Sequence, residues 1–320
     1  MSEDRVFSNL MQQIKDGKFV ITGELEPEVT SDIGPTVHEA KLIKPYVAAA
    51  NITDNPKATV CLSSLAGGYM TQEQSGLEIV YQLTTRDMNR MALGSAVLGA
   101  GALGLKNILA LTGDHHWTGN MPQAKPVFDY DSTHLISLIR EMVDHRSIEG
   151  IPFDEEAPDI KIHVGGAANP NSVMWGMEAE IMHIQRKAQA GVEFLQTQVI
   201  YDIDMASEFL KEVKDKTGVP VLLGIFPMKG YGIAKGFDEF VPGVSVPKDL
   251  LAKFKKVKKG NWPDKKAKKE AYRQINIEFF TPMLEELKKK GLVAGCHIMA
   301  VHFPKIFPPL IDALGLSPAE

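Results

Sequence analysis

A parallel, eight-stranded (β/α)8 or TIM barrel is the α/β fold that this sequence predicts, and three observations carry it. Short apolar runs rich in β-branched residues recur eight times; segments of helical character separate them; and the runs end in polar residues. Strands alternating with helices pair in parallel through right-handed crossovers, and eight such units close a barrel. The 320 residues exceed the roughly 250 typical of this fold, which leaves room for an insertion. A doubly wound open sheet is the architectural alternative.

The eight strand signals are Phe19 to Glu24, Val47 to Thr53, Glu78 to Thr84, Asn107 to Thr112, Ile160 to Val164, Glu193 to Val199, Val219 to Phe226 and Gly295 to Val301. Helical segments between them include Pro35 to Lys44, Met88 to Leu98, Thr133 to Asp144, Ser172 to Ala190, Met205 to Asp215 and Ile277 to Lys290. Barrel enzymes carry their chemistry at the C-terminal ends of strands. Here those ends hold Glu24 and Glu26, Thr53 and Asp54, Thr84 to Asp87, Asp114 to His116, Asn169 and Gln198. We therefore read 1–320 as one barrel domain. Its departure from the pattern is a basic stretch, Lys253 to Arg273, expected as an insertion with a solvated face before the last helix. Its sharper reading is a dock for an acidic protein or a polyanionic substrate tail.

Composition narrows the function. With 44% hydrophobic and 23% charged residues the chain can bury a sizeable core, and a net charge of −5 offers no general attraction for nucleic acid or anionic membrane. Small molecules or proteins are the expected partners. Cys61 and Cys296 are the only cysteines, too few for a disulfide framework or for the four thiolates of an iron–sulfur cluster. No run is long and apolar enough to span a membrane, and Ser2, Glu3 and Asp4 lack the basic start of a signal peptide. A cytoplasmic location is expected.

Several motifs invite over-reading. Gly99-Ala100-Gly101-Ala102-Leu103-Gly104 matches a dinucleotide-binding GxGxxG, but it follows a helix and leads into a strand, the reverse of the required order. It reads as a helix-ending glycine-rich turn. His115 and His116 are adjacent, a spacing that points extended side chains apart, and no metal site is expected. His163 and His297 read as satisfied strand residues and Cys296 as a small apolar packer. Glu24 stands out, because a carboxylate ending an apolar strand inside a barrel is partly desolvated and suited to general acid work. The ordinary alternative is a rim carboxylate paired with a cation such as Arg86. Asp114, after Gly113 in Leu111-Thr112-Gly113-Asp114, is either beside a ligand or an ordinary turn aspartate.

Taken together, Gly23-Glu24-Leu25-Glu26-Pro27, Gln82-Leu83-Thr84-Thr85-Arg86-Asp87-Met88-Asn89-Arg90, Leu111 to Asp114, Arg186-Lys187-Ala188-Gln189-Ala190-Gly191, Gln196-Thr197-Gln198 and Gly224-Ile225-Phe226-Pro227 resemble the methylenetetrahydrofolate reductase family, in its order and over nearly the whole chain. The resemblance implies a flavin-binding barrel, with FAD (or FMN) across the strand ends and methylenetetrahydrofolate stacked on its ring. It implies that Glu24 is the catalytic glutamate that helps protonate N10 of the folate, so that the methylene bridge opens and accepts hydride from flavin N5. Asp114 matches an aspartate beside flavin and pterin, Gln198 a folate-positioning glutamine, and Phe237 an aromatic that packs on folate or nicotinamide. Thr53, Gln82, Thr84, Arg86, Gly113, Tyr130, Asn169, Glu180, His183, Arg186 and Lys187 fall on flavin contacts; the last two make electrostatic sense near a diphosphate.

The sequence also departs from the family. Gln82 and Asn169 stand where many members have histidine, Glu26 replaces an aromatic residue, and the last strand ends Val301-His302-Phe303 rather than in a leucine–asparagine type. The Val301 to Phe303 ending, Gln82 and the basic stretch lead us to expect that the chain alone oxidises NADH poorly and needs a partner protein, the donor being NADH or an iron–sulfur partner. An oligomer is expected. The alternatives are a folate- or corrinoid-dependent methyltransferase on the same barrel and a non-catalytic pterin-binding subunit.

Overall fold

The computed structural model describes residues 5–171, 176–241 and 243–316. Eight parallel strands close into a barrel: β1 (Val20–Leu25), β2 (Ala49–Ile52), β3 (Ile79–Thr84), β4 (Asn107–Leu111), β7 (His163–Ala168), β8 (Phe194–Thr197), β9 (Val221–Ile225) and β10 (Gly295–Ile298). Between β4 and β7 a two-stranded hairpin, β5 (Ser147–Ile148) with β6 (Ile151–Pro152), lies outside the barrel. The order β1-β10-β9-β8-β7-β4-β3-β2 is the closed barrel expected from the sequence, and the open-sheet alternative falls away.

Strand alternation sorts side chains to two environments. Gly23 faces outward against Ile43 and Phe307 of the helical layer, whereas Val20 joins Ala49, Val80, Leu109, Phe194 and Leu222 in the barrel interior. On β1 the inward residues run Val20, Thr22, Glu24, from an apolar base to a carboxylate at the top. The base is plugged by α1 (Asn9–Lys15), a helix with no strong sequence signal: Leu10 is buried in the interior cluster, and Glu78 accepts from the backbone N–H of Asn9 at 2.7 Å and of Leu10 at 3.0 Å.

Midway up, Asn51 of β2 and Gln196 of β8 exchange two amide hydrogen bonds, 2.7 and 3.2 Å long, both side chains buried. Replacing Asn51 with leucine leaves the Gln196 amide without its partner, and we expect a loss of about 1–3 kcal/mol of unfolding free energy. Urea denaturation checks this; a variant as stable as the parent would mean that the amide pair contributes nothing net.

Several sequence expectations need correction. The strand expected at Ile160 to Val164 runs instead over His163–Ala168, because Gly165, Gly166, Ala167 and Ala168 carry little strand propensity yet are required by packing. A Cβ on Gly165 would lie 2.3 Å from the ring of Phe194. Gly99 and Gly101 lie inside α4 (Arg90–Ala102), and only Gly104, at φ +73°, makes the turn. The segment Ser64–Ser75 (α3), not among the helices expected, is helical despite Gly67 and Gly68. The basic stretch is not a free insertion before the last helix. It spans the end of α9 (Lys248–Lys259) and the first turns of α10 (Lys265–Lys289), one continuous helix that carries Pro282 inside it. Lysine and alanine favour helix without showing a buried face, so periodicity alone began that helix too late. The helix expected from Ser172 is described from Gly176 to Gln189 (α6); Ser172 to Trp175 lie outside the described residues.

Candidate active site

The strand ends open into a cavity of about 1110 Å³. Its lining includes Glu24 from β1, Thr53 and Asp54 after β2, Gln82, Thr84 and Arg86 from the end of β3, Gly113 and Asp114 after β4, Asn169 after β7, Gln198 after β8, Met299 after β10, and Glu180, His183, Arg186 and Lys187 from α6. Thirteen of the residues expected from sequence therefore share one space. Tyr130 and Phe237 do not line it. Tyr130 stands one layer back, stacked on His134 with ring centroids 5.6 Å apart and bonded to Glu149. Phe237, on α8 (Tyr231–Phe240), packs on Phe226 with ring centroids 4.3 Å apart.

Glu24 sits at the cavity floor with its side chain 16% exposed. Its Oε2 makes long contacts of 3.5 Å with the Gln82 amide and with Nε2 of His297, whose Nδ1 lies 2.9 Å from the buried Thr22 hydroxyl. The pairing with Arg86 considered from sequence does not occur. Arg86 is buried and its guanidinium holds Asp87 through Nε and Nη2, at 3.1 and 2.8 Å, while Nη1 donates to the Asp114 carbonyl at 3.2 Å. Asp87 also meets His116 Nε2 at 2.9 Å. Among the described residues, no three acidic, histidine or cysteine side chains gather as a metal site. His163 is satisfied as expected: Nε2 accepts the Phe7 N–H at 2.9 Å, so Nδ1 carries the hydrogen facing Glu193 at 2.8 Å. Cys296 is fully buried, and burial pushes its thiol far up.

Among the described residues, Thr53 Oγ1 is buried in the cavity lining without a hydrogen-bond partner. Gly113, at φ +88°, brings the backbone against the wall, where a Cβ would crowd Thr84 and Arg86 at 3.2 and 3.3 Å. Asp54, named from sequence only as a polar strand end, accepts from the Thr84 N–H and hydroxyl at 2.9 and 2.8 Å. Burial raises its carboxyl against the pull of those bonds. Asp131, Ser132, Thr133 and His134 at the start of α5 (Ser132–Asp144) also line the cavity and were missed; Asp131 followed by Ser132, a helix N-cap pair, was the available signal.

Lys187 donates to the Ala167 carbonyl at 2.6 Å, and burial holds its ammonium below the ordinary lysine value of 10.5, opposed by the nearby Glu180 and Asp131. The pH consequence has a definite sign. An anionic ligand beside Lys187 raises the lowered pKa, so binding takes up a proton between the lowered and the restored values. Affinity for such a ligand therefore falls as pH rises through that alkaline window, and the ligand-free protein gains stability over the same range. Titrating the affinity of an anionic ligand of the cavity against pH, with Lys187→Gln as the flat control, checks this; an equal slope in the variant would acquit Lys187.

A family model described as methylenetetrahydrofolate reductase matches residues 9–315. The chain is 24% identical over 270 residues to methylenetetrahydrofolate reductase 2 of Saccharomyces cerevisiae, covering 81% of this chain but 40% of that one. It is 22% identical over 307 residues to the 5,10-methylenetetrahydrofolate reductase of Salmonella typhimurium, covering 94% of this chain and 93% of that one. The chain thus spans about two-fifths of the length of the yeast relative and nearly all of the bacterial one. In fold it is similar to an uncharacterized Clostridium thermocellum protein that binds two copies of 5-methyl-5,6,7,8-tetrahydrofolic acid, with a TM-score of 0.63, 14% identity and 95% and 97% of the two chains covered. A match over almost every described residue, on a closed barrel whose strand ends gather the expected side chains, assigns the chain to the methylenetetrahydrofolate reductase family.

Proposed function

We propose that the chain is a single flavin-binding barrel that reduces 5,10-methylenetetrahydrofolate to 5-methyltetrahydrofolate in the cytoplasm. The observation that carries this reading is Glu24, a half-buried carboxylate with no lysine or arginine partner among the described residues, at the floor of a cavity that would admit a flavin and a pterin together. The residues fit the cofactor: Thr53 offers a buried hydroxyl, Gly113 a close backbone edge, and Arg186 and Lys187 positive charge for the diphosphate of FAD. When bound, the flavin supplies the hydride. Glu24 delivers a proton to the folate nitrogen that leaves the methylene bridge, with Gln82 and His297 holding its carboxylate. Asp114 and Gln198 hold the pterin from the two sides of the cavity.

The visible spectrum of the purified protein tests this reading: flavin bands that bleach on reduction and return with methylenetetrahydrofolate are expected. A colourless protein that takes up neither FAD nor FMN would overturn it, as would a flavin that the folate never reoxidises. For the electron donor we favour an iron–sulfur partner protein. Beyond Met299 the end of β10 turns away from the cavity, and His302, at φ +52°, meets Glu39 at 3.3 Å. Hydride transfer from NADH needs the nicotinamide stacked within about 3–3.5 Å, and that geometry tolerates little misplacement. Anaerobic stopped-flow mixing with NADH should bleach the flavin far more slowly than turnover; bleaching at the turnover rate would restore NADH as donor.

A further inference from the structure

The barrel interior changes character one layer above its base. Val20 and Leu222 belong to the apolar cluster there, whereas the next inward positions on β1 and its neighbour β10 hold Thr22 and His297, register partners that are 0% and 3% exposed. The outward positions of the same strands, Ile21, Cys296 and Ile298, are apolar core. Interior layers of such barrels are dominated by branched apolar side chains, and a buried polar group is costly unless it is hydrogen-bonded. Packing accounts for half of this pair. The Thr22 hydroxyl lies 2.9 Å from Nδ1 of His297 and satisfies that nitrogen. The other nitrogen, Nε2, faces Oε2 of Glu24 at 3.5 Å, and the Gln82 amide reaches the same oxygen at 3.5 Å. On the two strands that flank β10, Glu24 is the sole titratable side chain, since β9 carries none. Neither Thr22 nor His297 is among the described residues that line the main cavity. A carboxylate oxygen only accepts, so Nε2 carries the ring hydrogen and Nδ1 accepts from the Thr22 hydroxyl. Catalytic hydrogen bonds of this length commonly tighten in the substrate complex.

We propose that Thr22 and His297 form a buried positioning dyad that acts through Glu24. The hydroxyl fixes the imidazole with its hydrogen on Nε2. That N–H, together with the Gln82 amide, holds Oε2 as the accepting oxygen, so the acidic hydrogen of Glu24 sits on Oε1 and points into the cavity. The inference rests on the reading of Glu24 as proton donor to the folate. Within it the step balances: the O–H bond at Oε1 breaks, an N–H bond forms on the folate nitrogen, and the bond from that nitrogen to the methylene carbon breaks with its electron pair left on nitrogen. The carbon is then electron-poor and ready for hydride. The negative charge left on Glu24 is shared with an oxygen that already holds two N–H donors, which stabilises the product of the proton transfer. A histidine needed for packing alone would have no use for an Nε2 aimed at a carboxylate.

Nitrogen-15 NMR of the flavin-loaded protein reads the ring directly, with His297→Gln identifying its signals among those of the nine histidines. A hydrogen on Nε2 and a bare Nδ1 are expected; a hydrogen on Nδ1 would overturn the proposal. Single-turnover reoxidation of the reduced flavin by methylenetetrahydrofolate gives the second reading. His297→Phe, which keeps a ring of similar size, should slow that step by about 10–100-fold while 5-methyltetrahydrofolate affinity and flavin reduction by the donor stay within about twofold. His297→Gln places an amide N–H near Nε2 and should recover most of the rate. Thr22→Val, a change outside the cavity, should slow the same step by about three- to tenfold, and Thr22→Ser should restore it. This second pair keeps the test open where phenylalanine disturbs folding. A His297→Phe rate equal to the parent's would overturn the proposal, as would a glutamine variant no faster than the phenylalanine one, or an equal loss in both half-reactions. Failure of the folate to reoxidise the flavin of the parent protein would strike the folate reading itself, a result distinct from a wrongly placed hydrogen on the ring.

Discussion

Replacing Glu24 with glutamine is expected to slow folate reduction by about 10²–10⁴-fold, the range for a lost general acid, while flavin content and flavin reduction by the donor stay near the parent values. The amide keeps the shape of the carboxylate and its contacts to Gln82 and His297, so packing at the cavity floor should survive. What disappears is the proton. Single-turnover measurement of the two half-reactions separates these effects. If both fell equally, Glu24 would be holding the floor together rather than protonating the substrate.

Removing the Asp87 carboxylate should have the largest effect on folding. Arg86 is 1% exposed, and its guanidinium is held by Asp87 through two nitrogens. Asp87→Ala leaves a cation buried without its counter-charge, a change that costs about 3–5 kcal/mol when the partner of a buried pair is lost. His116 loses its Nε2 contact in the same step. The physical cause of the coupling shows in Asp87 itself, whose carboxyl Arg86 and then His116 hold below the usual range despite burial. Stability should therefore fall as acid protonates Asp87, through the range between its lowered pKa and the ordinary 3.8. Urea denaturation at neutral and acid pH measures both; a loss under about 1 kcal/mol would show that water solvates Arg86 once Asp87 is gone.

The barrel was legible because its strands carry short apolar runs that end in polar residues, as at Val221–Ile225 and Ile79–Thr84. It failed where packing overrides propensity. Gly165 looks like a loop residue until Phe194 is seen to need the space, and Gly67 and Gly68 hide the helix at Ser64–Ser75 from a reading by propensity. The candidate site was legible for a related reason, since the ends of the strands must converge once the barrel closes, and Glu24, Gln82 and Gln198 are fixed by strand position alone. Tyr130 and Phe237 lie on connecting segments whose path no strand position determines, and neither reaches the cavity lining. Asp131 to His134 went unremarked because their contribution comes from a helix start rather than a strand end.

The amide pair of Asn51 and Gln196 has a consequence for how the barrel closes. Backbone hydrogen bonds compare each strand only with its neighbours, and β2 and β8 lie four strands apart in either direction around the ring. A closure with the wrong shear could satisfy every neighbouring pair and still set opposite walls at the wrong height. The side-chain bridge compares those walls directly, since a slip of one residue would present Leu195 or Thr197 to Asn51 and strand two buried amides. Asn51 is also the register partner of Glu24. The cross-barrel pin thus sets the height of Glu24 against the far wall, and misclosed barrels are disfavoured by the same contact that levels the cavity floor.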